Sequence, residues 1–174
     1  AALVTTGPGG TNAITGVAGA FLDSTSLLVV SGQVKRADLA HGKGVRQMGF
    51  QELPIVDLVK PITKYAVLVL DPQSIRYHLE KAVFLARTGR PGPVWIDIPL
   101  DVQAALIDET SLPGFDPARE GLAPEAAPAT LPAQVRRVIE WLNAAERPAL
   151  LAGNGVRLAG AIDEFRAAVR KLNI

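Results

Sequence analysis

Three short stretches of this sequence combine residue types that could serve chemistry. The first, Gly7-Pro8-Gly9-Gly10-Thr11-Asn12, joins an apolar run to a helical pattern. Glycines let backbone approach a ligand closely, and a helix N-terminus favours negative or electron-rich groups. With Asn12 in sixth place it is not G-x-G-x-x-G, and without G-K-[ST] it is not a P-loop. A tight turn with no ligand is the plain alternative, whereas a place at the carboxyl end of a parallel strand favours a site. The second stretch, Gly153-Asn154-Gly155, repeats the theme more weakly, with Leu158 in its sixth place and no acidic residue at the spacing a dinucleotide needs. The third is Phe50-Gln51-Glu52. Gln51 or Glu52 could simply cap the next helix. Alternatively, Gln51 is a buried amide beside a cofactor, able to donate and accept without adding charge.

The other reactive residue types form no set. Cys is absent and His41 and His78 are the only histidines, which excludes disulfides, thiolate metal sites and thiol nucleophiles. His41 reads as a solvated loop residue and His78 as a partly exposed helix residue. Arg90, before Pro91-Gly92-Pro93, could hold a phosphate or be an exposed turn arginine, and Lys35-Arg36 read as solvent-facing. Spacing alone builds no Ser–His–Asp triad, metal-ligand cluster or carboxylate pair.

The elements that must position these residues follow from periodicity. Ala1–Thr6 is a continuous apolar run, as in a parallel strand covered on both faces. Thr11 or Asn12 then caps a helix whose apolar face is Ile14, Val17, Ala18 and Phe21. Leu27–Val30 is the next strand, completing a βαβ unit. Residues 32–50 read as a long loop, and loops of that length are commonly functional. A short helix over Gln51–Leu58 and a strand over Ile62–Leu70 follow. Asp71-Pro72 opens a helix with Ile75, Leu79, Ala82, Val83 and Ala86 on one face, ending near Thr88-Gly89. Val94–Ile98 is another buried strand, closed by Pro99.

Composition sets the wider frame. The chain has 174 residues, 48% hydrophobic and 20% charged, which suits a globular protein and not a disordered one. A net charge of +1 argues against nucleic acid or an anionic membrane as main partner, and no apolar run approaches the roughly 18 residues of a membrane span. Proline recurs at 113, 117, 124, 128 and 132, reading as a semi-rigid linker. The α/β rhythm then restarts, with a helix over Pro132–Asn143, a strand over Ala149–Ala152 and a helix over Ala159–Leu172. The expected organisation is therefore α/β: residues 1–103 as the later part of a doubly wound parallel-sheet domain, 104–131 as linker, and 132–174 as the start of a second α/β domain. Both ends read as cuts through a larger protein. A cytoplasmic location is the expectation.

Joined together, these motifs resemble a known family. LVTTGPGGTNAITGVAGAFLDSTSLLVVSGQV, FQELPIVDLVKPITKYAVLVLDP and ARTGRPGPVWIDIPLDVQ resemble, in order and spacing, the pyrimidine-binding domain of thiamine diphosphate enzymes of the acetolactate synthase type. Residues 132–174, with GNGVR after a strand, resemble the opening of that family's central domain. The resemblance implies that Pro8 and Asn12 line the pocket for the cofactor's aminopyrimidine ring, that Gly7 and Gly9 permit close backbone approach, and that Phe50 and Gln51 lie beside the reacting carbon and the substrate channel.

The implied activity is thiamine diphosphate-dependent decarboxylation of a 2-keto acid, pyruvate foremost, with ligation of the resulting enamine to a second carbonyl. Related readings are a decarboxylase or lyase acting on another 2-keto acid or an acyl-CoA, or a non-catalytic nucleotide-binding module that keeps the fold. Mg²⁺ and its ligands, and the activating glutamate, are expected outside these 174 residues; Glu52 is not that glutamate. The piece alone is expected to be inactive. Arg90, Gly153, Asn154 and Gly155 match positions that touch FAD in flavin-containing members, while other members bind ADP there or have dropped the flavin, so FAD is optional. Leu100 stands where acetolactate synthases carry lysine, which favours a related carboligase or decarboxylase. A homodimer or homotetramer is implied by the resemblance alone.

Overall fold

A computed structural model describes residues 1–122 and 127–172. It divides into two compact units, Ala1–Ala123 and Pro124–Ile174. Residues 123–126 of the proline-rich stretch, and 173–174, lie outside the described residues.

The first unit is built on a four-stranded sheet of β1 (Ala2–Val4), β2 (Leu27–Gln33), β3 (Tyr65–Leu68) and β4 (Pro93–Pro99). The spatial order is β1-β2-β4-β3 and every pairing is parallel. Helix α1 (Pro8–Leu22) links β1 to β2, and α3 (Ile75–Arg87) links β3 to β4. Those two crossovers advance in opposite directions along the sheet, so their common right-handedness puts the helices on opposite faces. Two cores result. Val69, Ala82, Ala86, Val94, Ile96 and Val102 pack on the α3 side. Val17, Val29, Ile55, Val59 and Trp95 pack on the other, beneath α1 and α2 (Ile55–Val59). Successive β4 side chains serve alternate faces, Val94 and Ile96 to one core and Trp95 to the other. The expected doubly wound sheet is what forms.

Several boundaries differ from the sequence reading, each for a local reason. Helix α1 starts at Pro8, ahead of the expected Thr11 or Asn12 cap, because Gly7 turns the chain at φ 61° and Pro8 takes the first helical turn. Thr11 instead donates its hydroxyl to the Pro8 carbonyl, 3.1 Å. Helix α2 begins only at Ile55, since residues preceding a proline are kept out of helical geometry and Pro54 is its cap. The strand expected over Ile62–Leu70 shortens to Tyr65–Leu68, with a 3₁₀ turn over Lys60–Ile62. At α3, Asp71 accepts from the Gln73 N–H at 3.0 Å and a 3₁₀ turn over Pro72–Ser74 leads into the helix. Helix α4 (Leu100–Gln103) follows β4 directly.

The second unit contains α5 (Leu131–Ala144), α6 (Gly155–Leu158) and α7 (Ile162–Leu172). The apolar stripe of α5 is half exposed, at 48% for Val135 and Val138 and 46% for Ile139. The strand expected over Ala149–Ala152 does not form. A strand needs a neighbour for its hydrogen bonds, and the described residues of this unit contain no other. Gly160, at φ 67°, moves the start of the last helix from the expected Ala159 to Ile162.

Candidate functional site

The turn after β1 and the end of the long loop meet at the carboxyl ends of the strands, where ligands of open α/β sheets bind. Gly7, Pro8, Thr11, Gln47, Phe50, Gln51, Glu52 and Leu53 line a cavity of about 520 Å³ there. The contact that closes it is backbone on backbone. A Cβ on Gly7 would stand 2.1 Å from the Gln51 carbonyl oxygen, and Gly7 already holds φ 61°. Gln51 itself has φ 58°, a conformation that costs a non-glycine residue about 1–3 kcal/mol and persists only where its surroundings enforce it. Phe50 projects beside it, 82% exposed.

The loop leading to Gln51 is folded by Glu52, which accepts from the Ala40 N–H at 2.6 Å and from the Met48 N–H at 3.0 Å. Glu52 therefore secures residues 40–48 and caps no helix; neither does Gln51, since α2 starts at Ile55 with Pro54 as its cap. Gly49 fits against Val34 so closely that a Cβ would come within 2.6 Å of Cγ1.

Of the residues singled out in the sequence, Gly7, Pro8, Phe50 and Gln51 share this cavity. Asn12 lies on α1 one turn beyond Pro8 and is exposed, and neither it nor Gly9 is among the lining residues. A Cβ on Gly9 would meet the Thr5 side chain at 2.5 Å. Arg90 sits just ahead of β4, at the opposite end of the parallel sheet, where its Nε donates to Ser24 Oγ at 2.6 Å. In the second unit Asn154 caps α6 and accepts from Arg157 Nε at 2.9 Å. Nothing stands within 4 Å of a Cβ placed on Gly153 or Gly155. Among the described residues, no group of three or more His, Asp or Glu side chains could hold a metal ion.

A buried polar network beneath the cavity escaped the sequence reading. Ser31 Oγ donates to Asp97 Oδ1 at 2.5 Å and accepts from Trp95 Nε1 at 2.8 Å. Gln33 Nε2 donates to Asp97 Oδ2 at 2.9 Å and to the Leu53 carbonyl at 3.0 Å. Gln33 Oε1 accepts from Thr6 Oγ1 at 2.7 Å and from the Val34 N–H at 3.0 Å. Asp97 is 1% exposed. Burial pushes its carboxyl up to about 6, against the opposing pull of the Ser31 and Gln33 hydrogen bonds. Its one sequence signal is an acid inside the apolar run VWIDIP.

Elsewhere, His41 is exposed as expected. His78 pairs its Nδ1 with the Tyr65 hydroxyl at 2.7 Å, and burial followed by the nearby Lys81 charge holds it below the usual histidine range. Arg36 is exposed, as expected, and binds Asp101 at 2.7 Å.

The arrangement can hold a flat heteroaromatic ring: apposed backbone, a proline face, an aromatic side chain and a neutral amide surround one opening. Residues 1–58 match the family described as "Thiamine pyrophosphate enzyme, N-terminal TPP binding domain". The chain is 39% identical over 172 residues to the acetolactate synthase large subunit of Lactococcus lactis, covering 99% of this chain and 28% of that protein. It is 36% identical over 179 residues to the acetolactate synthase isozyme 3 large subunit of Escherichia coli, covering 99% of this chain and 29% of that protein. Glyoxylate carboligase of Escherichia coli O157:H7 is 39% identical over 154 residues, covering 88% of this chain and 24% of that protein. The chain thus spans less than a third of the length of these relatives. Over nearly its whole length the chain is similar to acetolactate synthase large subunits, and its opening residues match the N-terminal TPP binding domain of thiamine pyrophosphate enzymes.

Proposed function

We propose that this chain supplies the pyrimidine-binding side of a thiamine diphosphate-dependent enzyme that decarboxylates a 2-keto acid, pyruvate foremost, and ligates the product to a second carbonyl. The observation that carries this reading is the Gly7–Gln51 backbone contact, which closes one cavity from two segments remote in sequence. In this reading Gly7 and Pro8 hold one side of the aminopyrimidine ring, with Gly9 and Asn12 in the same helical turns. Gln51 offers its amide from the other side, and Phe50 walls the substrate approach. The cofactor when bound supplies the nucleophilic carbon and the electron sink for loss of CO₂. The chain's own residues bind, orient and exclude water. Mg²⁺ is assigned to polypeptide other than these residues, FAD stays optional, and the working enzyme is a cytoplasmic homodimer or homotetramer.

Thermal-shift measurements on the full-length protein test the cofactor assignment, because a ligand raises the melting temperature only if it binds the folded state. Thiamine diphosphate with Mg²⁺ is expected to raise it, and no shift at saturating cofactor refutes the reading. A second donor is supported by Leu100, 54% exposed just past the carboxyl end of β4, and by the similarity to glyoxylate carboligase. Product analysis with pyruvate and with glyoxylate separates the two.

A further inference from the structure

We infer that Gln33 is the positioning residue that sets the separation between the two walls of the Gly7–Gln51 cavity. The inference rests on the cofactor reading above and adds a residue that does not line the cavity. One wall is the turn that follows Thr6, and the other is the segment running through Gln51 to Leu53. The Gln33 carboxamide is bonded to both, through the Thr6 hydroxyl at 2.7 Å and the Leu53 carbonyl at 3.0 Å. Its two remaining capacities go to the Val34 N–H and to Asp97 Oδ2.

An uncharged amide has two donors and two acceptor lone pairs, and here all four are used by four different partners. The Val34 N–H requires an acceptor and the Leu53 carbonyl requires a donor, so the amide has one orientation only. The residue is 6% exposed at the end of β2. Asp97, on the neighbouring central strand, is gripped in turn by Ser31. The walls are therefore referenced to the most buried part of the sheet through a single planar group. No simple replacement repeats this set. Glutamate lacks the donors, and leucine lacks donors and acceptors alike.

Four forms of the full-length enzyme decide the matter: wild type, Thr6→Val, Thr6→Ser and Gln33→Leu. Titration calorimetry gives Kd for thiamine diphosphate with Mg²⁺ and, separately, for magnesium pyrophosphate, which lacks the ring. Loss of the part-buried hydrogen bond that ties the Thr6 wall to Gln33 is expected to weaken thiamine diphosphate about tenfold in Thr6→Val, and at least as much in Gln33→Leu. Magnesium pyrophosphate affinity is expected to stay at the wild-type value, and Thr6→Ser to restore cofactor affinity. Unchanged thiamine diphosphate affinity in Thr6→Val overturns the inference. So does an equal loss for both ligands, which marks a general loss of structure. Should Gln33→Leu fail to fold, the Thr6 pair still decides. A wild-type enzyme that binds no thiamine diphosphate refutes the proposed function itself, and the inference falls with it.

Discussion

The carbonyl oxygen of Gln51 occupies the space that a side chain on Gly7 would need, 2.1 Å from the Cβ position. Gly7→Ala therefore meets two obstacles, a backbone collision and a φ of 61° that costs an alanine about 1–2 kcal/mol. The Gln51 segment must move away. A displacement of about 1 Å in a positioned site costs on the order of 100-fold in rate. For the 2-keto acid decarboxylation proposed above, we expect Gly7→Ala in the full-length protein to lose at least that factor in kcat/KM, measured by CO₂ release. Retention of more than half the wild-type value refutes a role for this contact.

Phe50 tests the opposite regime. At 82% exposed it contributes little to the core, and substitutions at such surface positions usually stay within about 0.5 kcal/mol. Phe50→Ala should leave the urea midpoint unchanged while raising KM for the proposed 2-keto acid substrate several-fold. A shifted midpoint with unchanged KM would make Phe50 structural.

Asp97 makes stability depend on pH in a direction opposite to most carboxylates. Its folded value of about 6 lies above the ordinary 3.8, so folding favours the protonated form. That contribution is complete below about 3.8 and is lost as pH rises through about 6. Above this window the ionised group costs about 3 kcal/mol. Asp97→Asn cannot ionise. The difference in unfolding free energy between variant and wild type should therefore move in the variant's favour by up to that amount between pH 4 and 7. Denaturant titrations across this range check it, and parallel profiles contradict it.

Lys81 fastens the chain beyond α4 to α3. Its ammonium stands 2.5 Å from Glu120 and lies over the Tyr65, Tyr77 and Phe115 rings at 5.2–5.9 Å. Partial burial pulls its value down, but hydrogen bonds to Glu120 and Tyr77 prevail and raise it to about 12. Lys81→Met keeps an apolar stem and removes the charge. Limited proteolysis should then cut faster within residues 112–122, with little effect on the sheet's melting temperature. Equal cleavage rates exclude the fastening role.

The sequence made the sheet legible because parallel, doubly covered strands leave unbroken apolar runs, as in Leu27–Val30 and Val94–Ile98. It made the turn legible because Gly7 and Pro8 have few uses next to each other except a sharp entry into a helix. The network under the cavity was not legible. Ser31, Gln33 and Asp97 belong to two strands that are adjacent only once the β1-β2-β4-β3 order is known, and no local pattern gives that order. Glu52 misled for a related reason: its partners are the N–H groups of Ala40 and Met48, a loop closure that periodicity does not register. The strand expected over Ala149–Ala152 failed for want of a neighbour, which propensity alone cannot supply.

The position of β4 between β2 and β3 also bears on how the chain is made. On a ribosome, both flanking strands emerge before the one that joins them, so β2 waits bonded on one side only and β3 without a strand partner, their apolar margins open to other nascent chains. The bond from Gln33 to Asp97 under the Gly7–Gln51 cavity forms only after residue 97 has cleared the exit tunnel, and slow translation before that point would lengthen the exposure.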